Sequence, residues 1–246
     1  MSLLRLYGKE MRASLGDIIM VTAVIVLLEI LAILNYDKPW SAALGVMVPM
    51  VGLPLYFLST SFESIHREWN EHTAYWLLSL PVREEVILGA KTLALLSRFI
   101  ILTLPAAIGI YLFFDKLIPV PFPPDFTSTY IGLYVLSWFL FITVIPIVFL
   151  AAVSRHAVQR WGWLVQALIF VGGFWAFGKV SAWLAGLLDF LPWLSLRVPG
   201  IMIGGPQRGI TMASHGIPLS MVVSGLLVAG LIFYLAALLL RYRVEV

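Results

Sequence analysis

The sequence predicts an all-α membrane protein of six transmembrane helices, and three observations carry that expectation. Of 246 residues, 61% are hydrophobic and 12% are charged, whereas ordinary soluble domains are about 45–50% apolar and about 25% charged. Mean hydropathy is +0.98. The apolar residues also fall in long unbroken runs. A soluble globule of this size would leave much of its chain surface in contact with water, and so sparse a set of charges could not keep such a surface dissolved.

A crossing needs roughly 20 mostly apolar residues to traverse about 30 Å of hydrocarbon. Six stretches meet the requirement, near residues 18–34, 42–62, 92–114, 129–153, 161–178 and 217–240, within a single transmembrane domain over 1–246. The first lacks an Ala-x-Ala-like cleavage site before Asn35, so it is expected to be a retained span rather than a signal peptide. Lysine and arginine are retained on the cytoplasmic side. With the N-terminus inside, 11 of the 16 cations lie there and five outside: Lys38, Lys116, Lys179, Arg197 and Arg208. Both termini are therefore expected in the cytoplasm.

Before the first span, Leu4, Tyr7, Met11 and Leu15 recur at helical spacing, with Arg5, Lys9 and Arg12 on another face. This pattern predicts an amphipathic helix over residues 1–16, lying in the membrane interface. Between spans five and six, residues 179–216 include an apolar stretch, Trp183 to Leu196, followed by RVPGIMIGGPQRG. It is too short to cross and is broken by Asp189 and Pro192, which predicts short re-entrant elements on the outer side.

The segment 63–91, ESIHREWNEHTAYWLLSLPVREEVILGAK, concentrates polar chemistry: Glu63, His66, Arg67, Glu68, Glu71, His72, Arg83, Glu84, Glu85 and Lys91. Its apolar piece, Tyr75 to Leu80, is too brief to span and is stopped by Pro81. Such a loop suits docking on a cytoplasmic partner. Within the hydrocarbon, where ionisable groups are costly and face a cavity or a partner, Glu29 and Arg98 stand out as candidates to line a translocation path. They sit at different depths, so a direct ion pair is not expected. Prolines 49, 54, 105 and 146 lie inside spans and permit kinks, while Ser220, Ser224 and Ala229 suit close packing of the last span.

Several chemistries are excluded. Without cysteine there is no disulfide framework and no thiolate site, and a net charge of +3 is too small for a nucleic-acid footprint. Gly173 to Val180 approximates a nucleotide-binding P-loop, yet Val180 replaces the Ser or Thr that holds magnesium, and the string closes an aromatic-rich span. His66 with Asn70, and Glu84 with Glu85, resemble motifs of intramembrane CAAX-type proteases. Gly89 stands where those require arginine, and the order is reversed. Glu68 and His72 offer two metal ligands where zinc catalysis needs three. No metal site, catalytic residue or cofactor is expected in the chain.

The string from His66 to Lys91, with REW at 67–69, then Thr73, LLSLPV at 77–82, Arg83 and the closing Gly89 to Lys91, resembles the cytoplasmic loop between spans two and three of permease subunits of type-2 ATP-binding-cassette exporters. Those permeases often carry Gly-Thr where this chain has His72 and Thr73. The resemblance covers nearly the whole chain in layout but only about 25 residues in motif, and it implies a permease in a prokaryotic cell membrane. Two permease subunits, as a homodimer or heterodimer, would form the path for a lipophilic or amphipathic cargo, and a pair of cytoplasmic ATPase subunits would bind ATP and magnesium. Residues 63–80 would be the coupling helix. Arg67, Glu68 and Glu71 would make polar docking contacts, and Trp69, Tyr75 and Trp76 would be apolar anchors. A membrane-embedded binding or immunity protein without turnover is the alternative.

Overall fold

The computed structural model describes residues 3–70, 83–117, 125–158, 161–190, 196–202, 211–217 and 219–244. Among these, six helices are long and apolar enough to cross a membrane, and each contains or closely matches one expected span. The residues group into two compact units, Met1–Pro121 with Ala237–Val246, and Phe122–Ala236.

The first unit contains α1 (Leu3–Ala13), α2 (Leu15–Leu34), α3 (Pro39–Ala42), a π-helical turn (Ala43–Met47), α4 (Val48–Asn70) and α5 (Glu84–Leu117). The α1 helix docks on α5: Leu6 is buried against Ile87 and Ala90, flanked by Leu3 and Val86, and the Tyr7 hydroxyl pairs with that of Ser97 at 3.0 Å. Leu4 and Leu15, of the expected apolar stripe, stay exposed. The docked stripe mixes apolar and hydrogen-bonding residues because α5 offers both. The helix ends at Ser14, whose hydroxyl donates to the carbonyls of Glu10 and Met11 and so satisfies acceptors that a helix C-terminus leaves open.

The π-helical turn has a local cause. Pro49 has no N–H to offer the carbonyl of Gly45, and its ring crowds that carbonyl. The chain widens there, and the N–H of Val48 reaches back to the Ala43 carbonyl. Beyond it, α4 buries Pro49, Leu53, Phe57, Ser61 and Ile65, with the Phe57 ring 4.9 Å from that of Phe99 on α5. The α2 helix packs on α5 and on the π-helical turn through Ile18, Ile25, Glu29 and Ala32.

The second unit contains α6 (Asp125–Ala157), α7 (Gly162–Leu187), strands β1 (Leu196–Met202) and β2 (Thr211–Ile217), and α8 (Leu219–Val244) as far as Ala236. Ile147, Val228 and Ile232 form its core with Leu150, Phe170, Phe177 and Leu184. A side chain at Gly173 would collide with Ile147, and one at Gly225 with the Phe139 ring, so both glycines permit close helix approach. Ser220, Ser224 and Ala229 are buried, as the packing expectation has it. The α7 helix buries none of its most apolar window and leaves Trp163, Leu168, Val171, Trp175 and Trp183 exposed. Such a surface is at home in hydrocarbon and ruinous in water.

Three segments depart from expectation. Residues 63–70, expected to open a loop with its own coupling helix, continue α4; residues 71–80 lie outside the described residues. No glycine or proline interrupts the chain between Pro54 and Pro81, so falling hydropathy marks the edge of the apolar zone and not the end of the helix. Likewise α7 runs through Lys179 to Leu187. The apolar stretch expected as a re-entrant element is therefore divided: Trp183 to Leu187 closes α7, and Leu196 opens an antiparallel ribbon in which β1 pairs with β2 from Leu196 opposite Ile217 to Met202 opposite Thr211. Each strand is an edge, which tolerates the missing N–H of Pro199.

Candidate functional site

The densest polar constellation in the first unit is built around Lys91 on α5. This side chain is 3% exposed, and its ammonium uses its three protons on three acceptors. They are Glu10 Oε1 on α1 at 3.0 Å, the Ser64 carbonyl on α4 at 2.7 Å, and Glu68 Oε1 on α4 at 3.0 Å. One turn pair further along α5, the Arg98 guanidinium donates through Nη2 to the Glu10 carbonyl at 3.2 Å. A cation at the C-terminal carbonyls of a helix is favourably placed against its dipole. The chain thus binds three helices through one buried cation, with a second cation fixing the end of α1.

Of the sequence-predicted docking residues, Arg67, Glu68 and Trp69 lie on the last turns of α4. Arg67 is exposed and Trp69 half-buried, while Glu68 faces inward to Lys91. Glu71, Tyr75 and Trp76 lie outside the described residues. Sequence reasoning missed Lys91 and Glu10 as partners. One signal was present: Lys91 and Arg98 stand seven residues apart, on one face of a helix.

Glu29 lies elsewhere in the same unit. It is 4% exposed, and both carboxyl oxygens lack a hydrogen-bond partner among the described residues. Its carboxyl end rests on Gly109 of α5, where any side chain would overlap it, and beside Gly45 of the π-helical turn. Ala32 and Phe113 close the surroundings of Gly45. Glu29 and Arg98 are thus not brought together: Arg98 stands eleven residues before Gly109, about 16 Å along the axis. The hydroxyls of Ser59, Thr60 and Ser61 donate to carbonyls of their own helix, which satisfies them without a ligand.

The second unit holds a groove of about 740 Å³ among α6, α7 and α8, lined by Ile131, Val135, Trp138, Phe139, Phe177 and Ser181, among others. Its volume falls within the range of small-molecule sites, about 300–1,000 Å³, and its walls are nearly all apolar. The P-loop-like string 173–180 lies within α7, helical throughout, with Gly173 against Ile147; a phosphate cradle needs a loop ahead of a helix N-terminus. No group of three or more His, Cys, Asp or Glu residues suited to a metal occurs among the described residues.

No protein-family model, curated protein or solved structure matches the chain.

Proposed function

We propose that the chain is the membrane-spanning permease subunit of an ATP-binding-cassette exporter, with no ATPase site of its own. It pairs with a second permease subunit in the cell membrane of a prokaryote, both termini cytoplasmic. A separate dimer of cytoplasmic ATPase subunits binds ATP and magnesium. The observation that carries this reading is the clamp at Lys91. Helix α4 runs past its apolar part into Arg67, Glu68 and Trp69, and Lys91 ties that extension to α1 and α5. A displacement applied by a partner to the polar end of α4 would therefore move three helices together, which is what coupling of hydrolysis to transport requires. The apolar groove of the second unit favours a lipophilic or amphipathic cargo such as a peptide, drug or lipid.

The test is co-purification from native membranes, followed by ATPase measurement on the reconstituted complex. An ATPase should accompany the chain, and Arg67→Glu combined with Glu71→Lys should abolish both its retention and its stimulation. If no ATPase co-purifies, and a hydrolysis-dead ATPase leaves the cellular phenotype intact, the exporter reading fails in favour of a binding or immunity protein without turnover.

A further inference from the structure

The buried carboxyl of Glu29 takes no part in the clamp or in the proposed docking of a partner. We propose that it is an intramembrane proton-binding site, which holds a proton while α2 is packed on α5 and releases it when that packing opens.

The argument starts from the space around it. Glu29 shares the buried stripe of α2 with Ile18, Ile25 and Ala32, so it is held in the packed face rather than turned toward a membrane surface. A side chain at Gly109 would overlap its carboxyl, and Gly45 approaches Oε2 from the π-helical turn. An ionised carboxylate in such surroundings needs a counter-charge or several donors, and neither oxygen has a partner among the described residues.

The charged and titratable groups of every element packed on α2 lie away from it. On α5, Lys91 and Arg98 are about 27 and 16 Å along the axis from Gly109. Glu84 and Glu85 are further still, and the exposed Asp115 is about 9 Å beyond in the other direction. Lys116 lies one residue past Asp115, and Tyr111, two residues from Gly109, is turned by about 200°. The π-helical turn and α3 carry no titratable side chain. On α1, Arg5, Tyr7, Lys9, Glu10 and Arg12 gather near the start of α2, more than 15 residues from Glu29, and Asp17 on α2 itself is about 18 Å away. No group of three or more His, Cys, Asp or Glu residues forms here among the described residues, whereas a metal cation prefers six or so oxygens and a proton needs one. In the step itself, hydronium from an adjoining aqueous phase gives its proton to one carboxylate oxygen. An O–H bond forms, one breaks, water leaves, and the charge of the side chain goes from −1 to zero.

The π-helical turn supplies the means of release. It is held open by Pro49 rather than by regular helical bonding, and such turns recur at functional sites. A shift there would move Gly45 off the carboxyl and admit water.

Infrared spectra of the full chain in lipid vesicles near neutral pH test the proposal. The wild type should show a protonated-carboxyl C=O band that shifts on transfer to deuterium oxide, and Glu29→Gln should lose it. If the spectrum of folded Glu29→Gln keeps the same carboxyl bands as the wild type, the proposal is overturned. If that variant does not fold, Glu29→Asp is read instead: the band must move, and an unmoved band overturns the proposal. A wild type without the band, whose thermal midpoint rises in sodium over choline chloride only while Glu29 is present, would make this a cation site and likewise overturn it.

Discussion

Lys91 and Glu29 are both buried ionisable side chains of the first unit, yet their surroundings are opposite. Lys91 fills all three donor positions with two carboxylates and a carbonyl; neither carboxyl oxygen of Glu29 has a hydrogen-bond partner among the described residues. The residues that seat them on α5, Lys91 and Gly109, stand about 27 Å apart along the axis, close to the ~30 Å thickness of hydrocarbon. A fully satisfied charge holds helices together, whereas an unsatisfied one marks a place where packing and charge compete.

The sharpest way to break the contrast is to remove the cation. Lys91→Met should cost about 3–5 kcal/mol, because the partly buried Glu10 and Glu68 lose the cation they share, and the triple variant with Glu10→Gln and Glu68→Gln should recover most of the loss. Reversible unfolding in mixed micelles reads both. The same substitution at the two sites then separates them: Glu68→Gln should lose about 1.5–3 kcal/mol with its charged hydrogen bond, and Glu29→Gln less than about 1 kcal/mol, since no bond is lost. Equal costs would mean that Glu29 has a partner after all.

Gly109→Ala should cost about 1–3 kcal/mol by overpacking, and the cost should largely vanish in a Glu29→Ala background, a coupling that a double-mutant cycle isolates. Tyr7→Phe should cost about 0.5–1.5 kcal/mol for the hydrogen bond to Ser97. Its effect should appear as faster proteolysis within residues 1–14.

The six spans were legible because solvent alone dictates them: a run of apolar residues long enough to cross has little other use. Their ends were not, because Glu63 to Asn70 and Lys179 to Leu187 are polar or mixed and still helical. Glu29 was visible as a carboxylate inside an apolar run, but Gly109, which makes its slot, reads in the sequence like any other small residue. The clamp was hidden by distance, since Lys91 meets Glu10 across 81 positions and Ser64 across 27, and no local pattern links them. The buried line from Ser41 through Gly45, Pro49, Leu53, Phe57, Ser61 and Ile65 recurs every fourth residue, so it winds slowly around its helix, and a search at the regular helical period finds it only faintly.

The widened turn at Ala43–Met47 gives chain length a meaning that composition does not have. The wide turn takes up about one residue more than an ordinary one, so deleting one residue there would let it close to an ordinary helix and leave the residues after it on nearly the same faces. The same deletion within α4 ahead of Phe57 would rotate everything after it by about 100°: Phe57 would leave Phe99, and Glu68 and the Ser64 carbonyl would leave Lys91, although every side chain in the contacts was still present. Within α3 to α4, then, alignment of the clamp is counted in residues, and the five positions of the widened turn are where the loss of one is best absorbed.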